Sequence, residues 1–303
     1  IGQTCATIWT FPSERRRVNQ AASINESELL VTAVVGEVTS PSMAANPYEV
    51  DADGRPVVPV GMGGVCYNVK VGMSALGWAG DQVEPGVSIA NAAAPANEAL
   101  NLFACVGNRA IVRSGEAAGA EGVVIGKHEV FMGAKHVLVH LDDGALERVV
   151  PGDSVLVRAN GRGMCVADRT EIACHSLSPD LWKAWAPELR AGSVAVRVTR
   201  VLPPEVMGMG SGRVSAVTSV ALQRGVDGLE GLRLGDLVAV SDWDATYYTG
   251  YRDGALTVGV VACGDSPVLG NGPGMTLLLS APRGFLEPEV DPDANIAGLL
   301  ELG

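Results

Sequence analysis

The residues best suited to chemistry stand in a few short stretches. In GWAGDQVEPGVSI (77–89), Asp81 and Glu84 lie three positions apart in a turn-rich segment. Two carboxylates so placed can converge to bind a cation or to move protons. The plainer reading is a surface turn in which Asp81 caps its own backbone. In FACVGN (103–108), Cys105 is a candidate nucleophile, which would need a base and a positive setting. Lys127 and His128 in GKHE (126–129) are the basic groups in view, though spacing alone does not bring them to Cys105. A buried inert thiol is the competing reading. Asp81, Glu84, Cys105, Lys127 and His128 form the expected catalytic set.

Glycines and amides supply the expected binding groups. Gly63 and Gly64 in VGMGGVCYN (60–68) can turn backbone N–H groups toward an anion. The phrase opens no long helix, so it is neither a dinucleotide nor a P-loop motif, and a tight turn is the simpler explanation. Asn68 and Asn108 flank this glycine-rich region. Asp242, Asp244 and Tyr247 in SDWDATYYTGYRDG (241–254) combine rings and carboxylates, as suits a recognition loop or equally a hairpin or subunit contact. Asn271 in GNGPGMT (270–276) lies on a further ligand-approach loop, and EVMGMGSGR (205–213) reads as a flap. His136 and His140 look like a metal pair, but on a strand they sit about 13 Å apart, too far to share one ion. A structural role is expected for each.

Period-two alternation dominates the elements that must position these groups. Strands are predicted at 29–38, 65–71, 110–113, 122–125, 136–141, 154–158, 193–201, 214–222, 236–240, 256–261 and 275–279. They are short, Val-rich and separated by Gly, Pro, Asp or Asn turns. PGDSVLV (151–157) and LGDLVAV (234–240) hint at two similar subdomains. Helices are predicted only at 95–103, with Pro95 at its first position, and at 179–189, with Ser178 as N-cap and Pro187 as stop. The fold class is therefore mainly β, with two or three small barrel- or sandwich-like subdomains and few short helices. The expected organisation is an N-terminal extension (1–28), a β subdomain carrying the glycine-rich motifs (29–175), a second β subdomain (176–285) and an acidic C-terminal tail (286–303).

Composition narrows the function class. The chain has 303 residues, 47% hydrophobic and 18% charged, which excludes a disordered polymer. Its net charge of −12 argues against a nucleic-acid surface. The longest apolar stretch, 85–108, carries Asn91, Pro95, Asn97, Glu98 and Asn101, so no membrane span is expected, and the opening residues lack a signal-peptide pattern. Six cysteines without framework spacing suggest reduced, mostly buried thiols in the cytoplasm. Many short strands in an apolar chain point to a homo-oligomer.

Four phrases carry a resemblance: DGRPVVPVGMGGVCYNVKVG (53–72), GWAGDQVEPGVSI with NEALNLFACVGN (77–89, 97–108), GVVIGKHE (122–129) and SDWDATYYTGYRDGALTVGVVACGDSPVLGNGPGMT (241–276). Together they resemble a bacterial family known only as a domain of unknown function, numbered 4438. The resemblance implies a mainly β, multi-subdomain fold and brings no established reaction. It also places histidines where this chain has Gln82, Ala262 or Cys263, and Asn271, so histidine chemistry at those positions is lost here.

The leading expectation is a small-molecule hydrolase or lyase that needs no organic cofactor, with a divalent metal left open. Carboxylate and Lys/His acid–base groups would act in a glycine-rich pocket. The rival is a non-catalytic ligand-binding or assembly protein that has lost the family histidines.

Overall fold

The computed structural model describes residues 20–41, 48–58, 60–129, 134–207, 219–268 and 270–303. The expected flap at 205–213 falls largely outside them, as does most of the strand expected at 214–222.

Six antiparallel strands close into a barrel. Going round it, Val31–Val38 pairs with Ser154–Asn160, then come Arg109–Val112, Glu121–Glu129, Lys135–Leu141 and Gly86–Ala90, which returns to Val31–Val38. Alternation in the sequence puts one side of each strand inward. Val87, Ile89, Ala110, Val112, Val124, Val137, Val139, Val155 and Val157 fill the interior, each at most 1% exposed. At roughly 25 cal/mol per Å² of apolar surface removed from water, this filling is the main force closing the barrel. The helix Ala94–Phe103 sets Leu100 into the same core. It sits so close to the neighbouring strand that a Cβ at Gly36 would lie 2.8 Å from Leu100.

A second sheet orders Ala173–Cys174, Gly274–Ala281, Gly250–Cys263, Leu237–Asp244 and Arg200–Leu202, with Ser219–Ala221 also on Gly274–Ala281. Residues 255–263 and 274–281 are buried without alternation, because both faces of this sheet are covered. A smaller sheet joins Gln20–Ala21, Glu188–Leu189, Val194–Val198 and Leu286–Val290, the last pair in parallel. The C-terminal segment packs against the body. Leu286–Val290 is a sheet strand, and the short helix Ile296–Leu299 buries Ile296 completely.

The helix at 179 keeps its expected N-cap, with Ser178 accepting from the Leu181 N–H, but it ends at Trp185. Ala186 turns left-handed (φ 52°) one residue ahead of Pro187, and a residue before proline avoids the right-handed helix. Among the described residues, no helix is long and apolar enough to cross a membrane. The five described cysteines are free, but only Cys105 and Cys263 are buried, and Cys165 is exposed.

The end of one barrel strand packs on the second sheet. Glu121–Glu129 runs four residues past its expected end at Ile125 and lies on the strands Gly250–Cys263 and Gly274–Ala281. Gly126 permits this approach, since a Cβ there would come within 2.6 Å of the Ala262 Cβ. Thr276 then clamps the strand: its Oγ1 accepts from the Lys127 N–H (2.8 Å) and donates to the Lys127 carbonyl (3.0 Å).

Candidate functional site

At this junction the strand alternates its side chains, sending His128 and Lys127 to opposite sides. His128 stands opposite His136 across the hairpin, so both imidazoles share one face. Between them lies Glu84, fully buried. Its Oε1 accepts from His128 Nδ1 at 2.5 Å, and His136 Nδ1 lies 3.0 Å from both oxygens. The Gly63 N–H (2.7 Å) and the Ser88 hydroxyl donate to Oε2. The anion for which the glycine turn seemed shaped is therefore the protein's own carboxylate. Gly63 needs its left-handed backbone (φ 80°) for this, and a side chain there would press on Ser40, Thr39 and His136.

Burial is the largest influence on Glu84 and would push its pKa up. The two histidines outweigh it and hold the carboxyl well below its usual 4.5. For His128, burial disfavours the charged ring, but Cys263 and Glu84 against it hold its pKa well above 6.5.

Gln82 determines the protons on His128. Its Nε2 donates to the Gly272 carbonyl (2.9 Å), so its Oε1 is the atom facing His128 Nε2 at 3.0 Å. A carbonyl oxygen only accepts, so Nε2 carries a proton, while Nδ1 donates to a carboxylate. His128 is accordingly an imidazolium with both N–H groups engaged. Gln82 reaches this position from a left-handed backbone (φ 45°) that a side chain rarely adopts. Backbone bonds from Gln82 N–H to Asp265 O (2.8 Å) and from Gly264 N–H to Val83 O (2.9 Å) hold it there.

The ring edge of His128 forms part of the wall of a cavity of about 130 Å³, together with Gln82, Asn271, Gly274 and the strand 219–221. This is below the roughly 300–1,000 Å³ typical of drug-sized ligand sites, so only a small molecule fits. Among the described residues, no group of three or more His, Cys, Asp or Glu converges on a point suited to a metal ion.

Of the five expected catalytic residues, Glu84 and His128 meet here. Asp81 is buried one residue before Gln82, with its Oδ1 unpartnered among the described residues, and it faces the neighbourhood of Asp265 rather than Glu84. Lys127 and Cys105 form a second cluster on the far side of the strand. There the Lys127 ammonium donates to Ser176 Oγ at 2.9 Å. Burial and then Arg162 lower Lys127 to about 8, although nearby Cys105 opposes this, and burial raises Cys105.

The binding set divides likewise. Gly63 and Asn271 belong to the site, and Gly64 braces it by donating to Thr39 Oγ1 (2.9 Å). Asn68 is exposed and accepts from the Cys66 thiol, away from the site. Asn108 is a buried strut, bonded to Cys105 N and to both backbone groups of Asn160. Asp242, Asp244 and Tyr247 lie on a hairpin whose internal bonds explain them: Asp242 accepts from Gly254 N, Asp244 pairs with Arg252, and Tyr247 is 81% exposed. His140 lies away from Glu84, beside Lys70 and Asp143 at a separate small cavity. His136, Gln82, Ser88 and Cys263 are site residues that the sequence reading did not select.

These features define a mainly β protein in which a closed six-stranded barrel and a packed sheet hold a buried carboxylate–imidazolium pair beside a small cavity. The N-terminal domain of the family described as Domain of unknown function (DUF4438) matches residues 48–183, and its C-terminal domain matches residues 184–300. The chain belongs to this family. It is also similar to the crystal structure of TM1086, with 35% sequence identity, 92% of this chain and 99% of that chain covered, and a TM-score of 0.86. No curated protein matches the chain. Of the positions where the sequence resemblance places histidines, Gln82 bonds His128 and Asn271 lines the cavity, while Cys263, one of the two alternatives for the remaining position, lies near the ring.

Proposed function

We propose that the protein is an acid–base enzyme, a hydrolase or lyase, acting on a small polar molecule in the cavity beside His128. The observation that carries this reading is the Glu84–His128–Gln82 line. It buries a charged ring, fixes both of its protons and presents its edge to a space where a substrate fits. A substrate oxygen that takes the place of Gln82 Oε1 receives the Nε2 proton, and Glu84 holds the ring in place while it does so. Perturbed titratable groups at a cavity are the usual physical mark of such chemistry.

One observation favours a second reading. Gln82 already saturates Nε2, as befits a non-catalytic pocket that binds a small acceptor ligand. The same experiment separates the two. Small esters, lactones and amides, and small hydroxy and amino acids, are screened for turnover by the wild type and by His128→Asn. The enzyme reading expects turnover that falls at least about 100-fold in the variant, the lower range for acid–base catalysis. Turnover unchanged in a folded variant contradicts it, and ligand retention without turnover supports the pocket reading.

A reduced cytoplasmic homo-oligomer belongs to the same proposal. Leu30, Val31 and Val35, at the start of one barrel strand, are each exposed, and this motivates the homo-oligomer. A monomer by light scattering at micromolar concentration removes that part.

A further inference from the structure

Cys263 ends the long strand Gly250–Cys263 and is fully buried, behind Gly274 of the cavity wall. A Cβ built on Gly274, which lines the cavity, would fall 2.3 Å from the Cys263 sulfur and 3.9 Å from the His128 ring. The missing side chain at 274 is therefore what gives the sulfur its room beside the ring. Cys263 also lies close enough to His128 to favour the charged ring. On its other side the ring is held by Glu84. A sulfur beside an imidazolium that a carboxylate orients is the electropositive setting in which a cysteine acts as a nucleophile.

We infer that Cys263 is the nucleophile of this cavity and attacks small carbonyl electrophiles (esters, thioesters or activated amides), with His128 as its acid–base partner. The inference rests on the acid–base reading of His128 and narrows it to acyl transfer. The Cys263 thiolate, its proton given up to solvent, adds to the carbonyl carbon to form the C–S bond. The bond to the leaving group breaks, and the leaving oxygen, sulfur or nitrogen takes the proton from His128 Nε2 once Gln82 releases it. Water then attacks the thioester and gives a proton to Nε2. The C–S bond breaks and the thiolate returns, so the net change is hydrolysis of one acyl bond. Asn271, on the same wall, offers an amide near the carbonyl oxygen. Glu84 is a positioning residue, since it meets the ring and not the cavity.

The test uses the intact protein and iodoacetamide, a probe small enough for the cavity, with labelling mapped by mass spectrometry. Cys105 is the internal control, because it is as completely buried as Cys263 but lies on the other side of the strand. Exposed Cys165 reports reagent quality. The expected result is that Cys263 is labelled in the native protein while Cys105 is not, and that His128→Asn slows Cys263 labelling at least about ten-fold without changing Cys165. Labelling of Cys263 no faster than Cys105, or equally fast in His128→Asn, overturns the inference. Glu84→Gln is read by the pH profile of the same labelling. A positioning role moves the profile, whereas a purely structural role scales the rate alike at every pH and refutes the assignment. If His128 proves charged by direct measurement and Cys263 is inert, the nucleophile fails while the acid–base reading stands. If His128 is neutral, both fail.

Discussion

Replacing Glu84 with Gln exchanges one oxygen for an amide nitrogen and leaves the side chain nearly the same size. Every partner of Glu84 is a donor: the Gly63 N–H, the Ser88 hydroxyl and two histidine Nδ1 atoms. An amide can accept at only one of its two ends, so its NH₂ must face at least one donor that the carboxylate satisfied. The loss of charge weighs more, because it leaves the His128 imidazolium buried without its anion. Removing one partner of a buried pair costs about 3–5 kcal/mol. At about 2–3 °C of melting temperature per kcal/mol for a chain of this size, the expected fall is roughly 6–15 °C. Calorimetry at pH 6, where the ring is charged in both folded and unfolded chains, reads this directly. The deficit should shrink above neutral pH, because the variant sheds the ring proton that Glu84 had retained. A variant melting within about 2 °C of the wild type at pH 6 would refute the argument, since the carboxylate would then be carrying no buried charge pair.

Three other outcomes follow from the same geometry. The stability contributed by Glu84 is present above 4.5 and is lost as pH falls toward its lowered folded value, while that of His128 is present below 6.5 and is lost as pH rises toward its raised one. The contribution of the pair should therefore be greatest between these two values, and a Glu84→Gln/wild-type difference curve without that maximum contradicts it. Gly63→Ala places a Cβ in a left-handed backbone 3.1 Å from the Ser40 carbonyl and should destabilise by about 1–2 kcal/mol in urea unfolding, with no change expected if the turn can rotate freely. Lys127→Met should stabilise by roughly 1–3 kcal/mol at pH 7, because a lysine lowered to about 8 is bound less well as a cation in the folded chain. That advantage should fade as pH rises from 8 toward 10.5, and a destabilised variant at pH 7 would show that Lys127 is well solvated or well paired.

Much of the barrel was legible because its strands are half-buried and alternate, as in Lys135–Leu141 and Ser154–Asn160. The second sheet was cut short in the sequence, since Gly250–Cys263 is buried on both faces over its second half and follows no period of two. The site was half legible. Glu84 was visible from its company of glycines and His128 from its lysine neighbour. His136 has only a structural role in the sequence, because it is weighed there against His140 and the facing strand ends at Ile125, where polar residues begin. In a barrel those residues would belong to solvent, but here a second sheet covers them. Extending the strand to Glu129 sets His128 opposite His136 at once. Gln82 and Cys263 carried no local signal, because their roles depend on contacts with segments 272 and 128, remote in sequence. Asp242, Asp244 and Tyr247 misled for the opposite reason, as a self-contained hairpin concentrates the same residue types as a recognition loop.

The central claim is that His128 is a buried imidazolium with a proton on each nitrogen. Nitrogen-15 and proton NMR of the histidine rings between pH 6 and 9 tests it most directly. One ring should have both nitrogens protonated and both protons protected from exchange at pH 7.5, a signature that Glu84→Gln abolishes. A His128 ring that loses a proton near its ordinary 6.5 would contradict it.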